Sequence, residues 1–249
     1  MPPERSPRTG GRAPQISRED IVRAGRDLGL HRLSVKAVAT QLGVTPTALY
    51  RHVEGRWGLE RAVGESLLAE LELVDDPVQS LEDHLLSFAW QLRVFTLANP
   101  GLAGYLQILF PRGDSGHRLL SAEVQALIRR GYSPEAALVV SGAVASLSMA
   151  LTCSEEQSMK AESADLRGLD RERQATLARL SRDTGWGEAH ATLPAVPRPD
   201  YVRLLLTVSI RGLVEAAPPG RSVPDVISGL HSPSGTTAVT PPEKEPIDG

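Results

Sequence analysis

The sequence has few aromatic residues and almost no cysteine. Phe, Trp and Tyr together make up 4% of the 249 residues, whereas hydrophobic residues make up 41%. A core built mainly from Leu, Val and Ala suits helices better than sheets. Cys153 is the single cysteine, which excludes an intramolecular disulfide and fits a reducing compartment. We therefore expect an all-α protein without disulfide bonds.

Sequence patterns that carry enzyme chemistry are also missing. The six histidines and Cys153 show no metal-ligand spacing, and no phosphate-binding loop of the GxxxxGK type is present. The string GDSG at residues 113–116 matches a serine-protease motif. It lies in a predicted turn between helices, whereas that chemistry needs a positioned His and Asp. We expect no catalytic residue, no metal and no cofactor, and we interpret the chain as not an enzyme.

The longest uncharged run covers residues 136–153 and reaches the length at which a membrane span is considered. It contains three serines, a threonine and a glycine. A helix buried at a helix–helix interface is therefore favoured over a membrane helix. The N-terminal residues lack the apolar core of a secretory signal. We expect a cytoplasmic protein that does not enter a membrane.

Charge is distributed unevenly along the chain. Residues 1–65 hold 11 Lys/Arg and 7 Asp/Glu, whereas residues 66–249 hold 16 Lys/Arg and 23 Asp/Glu. A basic N-terminal quarter suits a segment that meets a polyanion. Chance, together with a charged tail, explains the same balance equally well, so charge alone does not decide.

Proline content and apolar spacing divide the chain into four predicted parts. Both ends are rich in proline and lack residues that could pack, which predicts disorder. Apolar residues between the ends recur at helical spacing, and Asp75-Asp76-Pro77 interrupts that pattern. The four parts are a disordered basic arm (1–15), an N-terminal helical domain (16–76), a second helical domain (77–217) and a disordered Pro-rich tail (218–249).

The segment LGVTPTALYRHV, residues 42–53, carries the strongest local signal. Gly43 ends a helix predicted over residues 35–42 and can adopt the positive φ of a sharp turn. Thr45 then caps a helix predicted over residues 45–52, with a proline at its first position. Two short helices joined in this way form a helix-turn-helix, whose second helix fits a DNA major groove. The alternative is an ordinary helical hairpin whose Tyr and His are core residues.

Residues 33–63, LSVKAVATQLGVTPTALYRHVEGRWGLERAV, resemble the DNA-binding domain of the TetR family of bacterial transcriptional repressors. The match includes a hydroxyl residue that begins the second helix, the Leu-Gly-Val turn, and Leu-Tyr followed by His. Trp57, which we interpret as a packing residue, and Pro46 in the reading helix depart from the family pattern. The resemblance implies roles near bases or phosphates for Ser34, Lys36, Thr45, Pro46, Thr47, Tyr50, Arg51, His52 and Arg56.

The same resemblance implies a C-terminal helical domain that dimerises and binds a small molecule. Helices 134–153 and 200–217 are the most apolar, and paired across a two-fold axis they would form a four-helix bundle. The alternative is that both are central core helices. The predicted function is a ligand-responsive homodimeric repressor of a near-palindromic operator, associated with the bacterial nucleoid. Two alternatives are a DNA-binding regulator without a small-molecule effector and a helical enzyme with a DNA-binding region.

Residues that would line a ligand pocket are harder to find from the sequence. His84, Phe88, Gln91 and Phe95 recur at i, i+4, i+7 and i+11, which places them on one helix face. A pocket combines mostly apolar walls with a few polar groups, and this set has that character. For each residue the alternative is an ordinary core position. The candidate ligand-binding residues are His84, Phe88, Gln91, Phe95, Tyr105, Gln107, Phe110, His117, Met149 and Cys153.

Overall fold

The computed structural model describes residues 16–192 and 196–231, and within them it contains helices and no strand. The prediction of an all-α protein is confirmed. The predicted disordered arm (1–15) and the last part of the predicted tail (232–249) lie outside the described residues. The helices are α1 (Arg18–Leu28), α2 (Val35–Gln41), α3 (Pro46–Leu49), α4 (Gly55–Leu68), α5 (Leu81–Ala98), α6 (Leu102–Ile108), α7 (Asp114–Arg129), α8 (Pro134–Leu180), α9 (Gly187–Ala191), α10 (Arg198–Ala216) and α11 (Val223–His231), with a 3-10 helix at Leu30–Arg32.

Helices α1 to α4 form one packed unit. A capping box starts α1: the Ser17 hydroxyl accepts the Asp20 N–H at 3.1 Å, and the Asp20 carboxylate accepts the Ser17 N–H at 3.0 Å. Val38, Leu49 and Val63, from α2, α3 and α4, are completely buried in one cluster. This shared core holds the two short helices at a fixed angle.

The turn between α2 and α3 is built as predicted, but α3 is shorter than expected. Gly43 has a φ of 67°, and the Val44 N–H donates to the Ala39 carbonyl at 2.9 Å. The predicted helix over residues 45–52 is wrong at its C-terminal end, because α3 ends at Leu49. The following residues form a tighter turn, in which the His52 N–H donates to the Leu49 carbonyl at 2.8 Å. Three candidate DNA-binding residues therefore lie on a turn and not on the helix.

Helices α5 to α8 and α10 form the second packed unit. Helix α8 contacts α5, α6, α7 and α10, so it is the central helix of this part of the chain. A serine followed by a proline at residues 133–134 predicts a capped helix start, and this is confirmed, since the Ser133 hydroxyl accepts the Ala136 N–H at 3.2 Å. Helix α8 runs beyond its predicted end to Leu180, interrupted by the non-helical φ and ψ of Asp165.

Two predicted boundaries are corrected. Apolar residues at intervals of four predict a helix from about Arg56 to Leu73, but α4 ends at Leu68. Just beyond that end, Arg118 donates to the carbonyls of Leu68 and Leu71 at 3.1 and 3.0 Å. These side-chain donors replace the N–H groups that another helical turn would supply. Helix α11 lies within residues 218–249, for which the sequence predicted disorder. Its start is capped by Ser222, whose hydroxyl accepts the Asp225 N–H at 3.2 Å.

Among the described helices, α8 is the one long and apolar enough to cross a membrane by length and composition. Of its most apolar 18-residue window, 44% is buried inside the protein. Val140, Val144 and Met149 lie on that buried face. Since a core helix of a soluble protein passes the same test, the interpretation of this run as a buried helix is retained.

Helix α4 packs against α6 through Gly64. A Cβ atom added at Gly64 would lie 2.5 Å from Cζ of Tyr105. We expect Gly64→Ala to lower the free energy of unfolding by about 1–3 kcal/mol, because the buried ring must move. The matched control is Gly142→Ala on α8, where an added Cβ meets no atom within 4 Å.

The control variant is expected to gain about 0.5–1 kcal/mol, since alanine is the better helix former. Urea unfolding followed by circular dichroism measures both changes. A Gly64→Ala protein as stable as the wild type would show that α4 and α6 are not in close contact.

Candidate nucleic-acid interface and internal cavity

The nine candidate DNA-binding residues are all exposed. They lie between Ser34 and Arg56, whereas Val38, Ala39 and Leu49 in the same segment are buried. Tyr50 is 57% exposed although it is a large aromatic residue. The alternative of an ordinary hairpin with Tyr50 and His52 in its core is therefore wrong.

The hydroxyl groups at the two helix starts are engaged in capping. Ser34 Oγ accepts the Ala37 N–H at 3.0 Å, and Thr45 Oγ1 accepts the Ala48 N–H at 3.4 Å. Each hydroxyl still has a proton with which it can bind an external acceptor. Within the described chain, neither Lys36 nor Arg51 forms an ion pair. Their cations are therefore available for a polyanion.

Arg56 and Arg112 both lie close to the Glu60 carboxylate. Its Nε lies 2.6 Å from Glu60 Oε1, and Glu60 Oε2 lies 3.8 Å from Arg112 Nη1. The Arg112 guanidinium lies 5.1 Å from the ring centroid of Trp57 and 4.5 Å from that of Tyr105. Trp57 thus packs against a cation while remaining half exposed.

A cavity of about 730 Å³ lies between α5, α6, α7 and α8, and exposed residues such as Leu109 and Leu138 lie at its rim. Its volume falls within the range of about 300–1,000 Å³ that is usual for small-molecule sites. Most of its wall is apolar, and Gln107, Glu123, Ser141 and Ser146 supply polar groups. The lining residues are Leu68, Leu73, Phe88, Leu92, Leu106, Gln107, Ile108, Leu109, Phe110, Leu119, Leu120, Glu123, Leu138, Ser141, Gly142, Ala145, Ser146 and Met149.

The structure brings some of the ten candidate ligand-binding residues together and separates others. Four of them line the cavity: Phe88, Gln107, Phe110 and Met149. His84 and Gln91 line a neighbouring cavity of about 240 Å³, which shares the walls Leu73, Phe88 and Glu123 with the first. The structure places Phe95, Tyr105, His117 and Cys153 on neither wall.

Each displaced candidate has other surroundings. Tyr105 faces α4, His117 is exposed on α7, and Phe95 is partly buried against the core. The Cys153 thiol donates to Gln107 Oε1 at 3.3 Å, so Cys153 contacts a wall residue without lining the cavity itself. Their positions on the helices explain this, because a residue on the far side of its helix cannot reach the cavity.

Sequence reasoning missed several wall residues for which a signal existed. Leu138, Gly142 and Ser146 recur at intervals of four on α8, which places them on one face. Glu123 is an acid within the mostly apolar stripe of α7 that contains Leu119 and Ala126. A lone carboxylate on a buried helix face indicates a functional or paired position.

No protein-family model matches the chain, and no curated protein matches it. Solved structures do. The TetR-family protein ActR of Streptomyces coelicolor in complex with actinorhodin matches with a TM-score of 0.69 and 19% identity, over 84% of this chain and 100% of that chain. The chain has the TetR-family fold. A TetR variant of Acinetobacter baumannii in complex with minocycline matches with a TM-score of 0.57 and 16% identity, over 80% and 97% of the two chains.

In this TetR-fold chain, hydrogen bonds connect α4 to the first turn of α7. The Glu65 carboxylate accepts the N–H groups of Ser115 and Gly116 at 2.8 and 3.1 Å. The Tyr105 hydroxyl also donates to Glu65, at 3.4 Å. Burial and the neighbouring Glu65 charge raise the pKa of Tyr105 to about 12, so this hydroxyl stays protonated. The prediction that GDSG lies in a turn is therefore wrong: the string begins α7, whose first-turn N–H groups bind the Glu65 carboxylate.

A cluster of polar side chains lines the smaller cavity. His84 Nε2 lies 3.2 Å from Glu123 Oε1. Asp75 Oδ1 lies 3.1 Å from His84 Nδ1, but that nitrogen has no hydrogen-bond partner. Asp75 is instead bound by Arg129 at 2.6 Å and Arg130 at 2.7 Å. The cluster joins the segment after α4 to α5 and α7.

Gln91, which was a candidate ligand-binding residue, stabilises this same segment. Its Oε1 accepts the Val74 N–H at 2.8 Å, and its Nε2 donates to the Val74 carbonyl at 3.0 Å. Both polar groups of the side chain therefore bind the backbone, and Gln91 stabilises the segment between α4 and α5.

Asp75 makes the stability of the TetR-fold chain depend on pH. Burial raises the pKa of Asp75, but hydrogen bonds from Arg130 and Arg129 outweigh burial and lower it from 3.8 to about 2. A carboxyl with a lowered folded-state pKa stabilises the protein above its unfolded pKa and loses that contribution as pH falls towards 2. We expect Asp75→Asn to cost about 2 kcal/mol at pH 7.

The cost should shrink to about half at pH 3, because Asp75 is then partly protonated in the unfolded chain. Urea unfolding at the two pH values measures it. The matched control is Asp76→Asn, next in the chain and exposed. Equal costs of Asp75→Asn at pH 7 and pH 3 would contradict the assignment of the ion pairs.

Proposed function

We propose that this chain is a ligand-responsive transcriptional regulator of the TetR type, most simply a repressor, which binds a near-palindromic operator as a homodimer. One observation carries the proposal: α4 joins the exposed helix-turn-helix to the cavity. Helix α4 begins at Gly55, directly after the exposed turn, and ends at Leu68, which lines the cavity. A ligand in the cavity therefore contacts the helix that carries the reading segment.

The two proposed activities, DNA binding and effector binding, are assigned to the two predicted domains. We propose that residues 16–76 bind DNA and that residues 77–217 bind the effector and dimerise. The ligand-bound neighbours support an effector, because ActR is seen with actinorhodin and the TetR variant with minocycline. A chain that binds operator DNA in bacteria would act in the cytoplasm at the nucleoid.

The exposed faces of α8 and α10 support a homodimer. On α10, Tyr201, Leu204 and Val208 are each about half exposed, while Val202 and Leu206 face the core. On α8, Val139 is 52% exposed, and it is followed by exposed small residues such as Ala143. Apolar faces of this kind usually mark an interaction site. Paired about a two-fold axis, two copies of each helix would form a four-helix bundle.

The connection around α4 offers a route for release from DNA. Gln107 and Phe110 line the cavity, and Arg112 and Ser115 follow them on the segment that holds α4. A ligand that shifts this segment would move α4 and, with it, the spacing of the two reading segments. Coupling of this kind is typically worth about 1–3 kcal/mol.

A screen followed by a DNA-release assay tests the proposal. Small molecules that raise the melting temperature are collected, since a ligand of the folded state stabilises it by mass action. Each is then added to the protein bound to fluorescent DNA from its own upstream region. We expect at least one stabilising compound to lower DNA affinity about 5- to 150-fold, as coupling of 1–3 kcal/mol requires.

The same assay is repeated with Gly142→Leu. Gly142 lines the cavity and has open space beside it, so the leucine side chain would fill part of the cavity. This variant should bind DNA but no longer respond to the compound. DNA binding that no stabilising compound weakens would favour a regulator without a small-molecule effector.

A further inference from the structure

We infer that the cavity selects an apolar molecule that carries a cationic or hydrogen-bond-donating group, such as an amine, and rejects carboxylates and phosphates. The inference rests on the proposed function, because it names the chemical class of effector for that same cavity. It is carried by the charge of the cavity wall and by one incompletely paired carboxylate.

The wall of the cavity offers a negative charge and no positive one. Among the described residues that line it, Glu123 alone has a formal charge. An anionic ligand would lose its hydration on entering an apolar cavity and would find no cation in return. It would also meet a carboxylate, and like charges at short distance disfavour each other. A ligand with a positive charge avoids both costs.

The Glu123 carboxylate has capacity for a further donor. Its side chain is only 4% exposed, and Oε1 lies 3.2 Å from His84 Nε2. Within the described chain, this carboxylate forms no hydrogen bond other than the one with His84. A carboxylate can accept several hydrogen bonds, and Glu123 lines the cavity. A donor group on a ligand in the cavity would therefore gain a strong hydrogen bond to this carboxylate.

The neighbouring arginine cannot reverse this preference, because it is already paired. Arg129 lies 2.6 Å from Asp75 Oδ2, and both residues line the smaller cavity. The other polar wall groups are neutral: Ser141 donates to the Leu138 carbonyl at 3.1 Å, and Gln107 accepts from Cys153. The favoured ligand is thus mainly apolar with one donor group.

Three probes with one hydrocarbon skeleton test the inference: 4-butylbenzylamine, 4-butylbenzyl alcohol and 4-butylbenzoate. Their affinities for the full-length protein are measured by calorimetry at pH 7. We expect the amine to bind at least about tenfold more tightly than the alcohol, because hydrogen bonds between charged groups are the stronger ones. The benzoate should bind most weakly.

Glu123→Gln, which keeps the shape but removes the charge, should abolish most of the tenfold advantage of the amine and leave the alcohol unchanged. Gly142→Leu, which fills the cavity, should remove binding of the amine and the alcohol. The order of the three affinities is measured on the wild type, so the inference stays testable if Glu123→Gln does not fold.

The outcomes separate the inference from the proposed function. A benzoate that binds as tightly as the amine, in a manner blocked by Gly142→Leu, overturns the inference and leaves the cavity as a ligand site. Amine affinity that is the same in the wild type and in a folded Glu123→Gln protein also overturns it. If no probe binds, or if binding persists in Gly142→Leu, the cavity itself fails as the effector site, and the inference fails with it.

Discussion

Replacing Lys36 and Tyr50 together by alanine is expected to lower operator affinity about 100-fold, since each lost DNA contact costs about 1–3 kcal/mol. Both side chains are exposed, and neither belongs to the core of α1 to α4. The free energy of unfolding should therefore change by less than about 0.5 kcal/mol. Fluorescence anisotropy with the operator duplex measures the affinity, and urea unfolding confirms that the fold is intact.

The matched control replaces an exposed lysine and an exposed aromatic far along the chain, Lys160 and Trp186. This control should bind the operator like the wild type. The salt dependence distinguishes a phosphate contact from a base contact. Loss of a phosphate contact lowers the slope of log affinity against log salt by about one per contact. Unchanged affinity of the Lys36→Ala, Tyr50→Ala double variant would contradict the proposed reading surface.

Replacing Leu204 and Val208 together by glutamate is expected to produce a monomer with at least about 100-fold weaker operator binding. In the proposed four-helix bundle, these substitutions would bring four carboxylates into an apolar interface. A monomer loses the gain of about 10²–10⁴ that simultaneous binding of two half-sites provides. Sedimentation gives the oligomeric state, and anisotropy with full and half operators gives the affinities.

The matched control is Leu166→Glu with Leu177→Glu, two residues of similar exposure on the second part of α8. That double variant should remain dimeric, because it lies outside the proposed interface. A Leu204→Glu, Val208→Glu protein that sediments as a dimer would show that subunits associate through another surface. An unchanged affinity for the full operator would contradict binding as a dimer through α8 and α10.

The helix starts and the turn could be predicted from the sequence because they depend on residues within one helical turn. Ser17, Ser34, Thr45 and Ser133 each cap the helix that follows, and Gly43 adopts the expected positive φ. Helix ends were less predictable where distant residues intervene. The early end of α4 depends on Arg118, which lies about 50 residues away in the chain.

The cavity was only partly predictable, for a reason of the same kind. Phe88 and Met149 belong to the predicted set, which has the mixed apolar and polar character of a pocket, and both line the cavity. Tyr105 has the same character, but Gly64 opens a space for its ring on α4 and takes it away from the cavity. The position of Glu123 follows from the packing of α7 against α5 and α8, which no short pattern encodes.

The most direct test of DNA binding is a selection of random double-stranded DNA by the full-length protein, followed by sequencing. The account predicts enrichment of a near-palindrome whose half-sites are centred about 10 base pairs, or a multiple of one helical turn, apart. Affinity for the selected duplex should fall about 1,000-fold between 50 and 200 mM salt. A selection without an enriched sequence, or binding that does not respond to salt, would contradict the central claim that this TetR-fold chain reads an operator through residues 34–56.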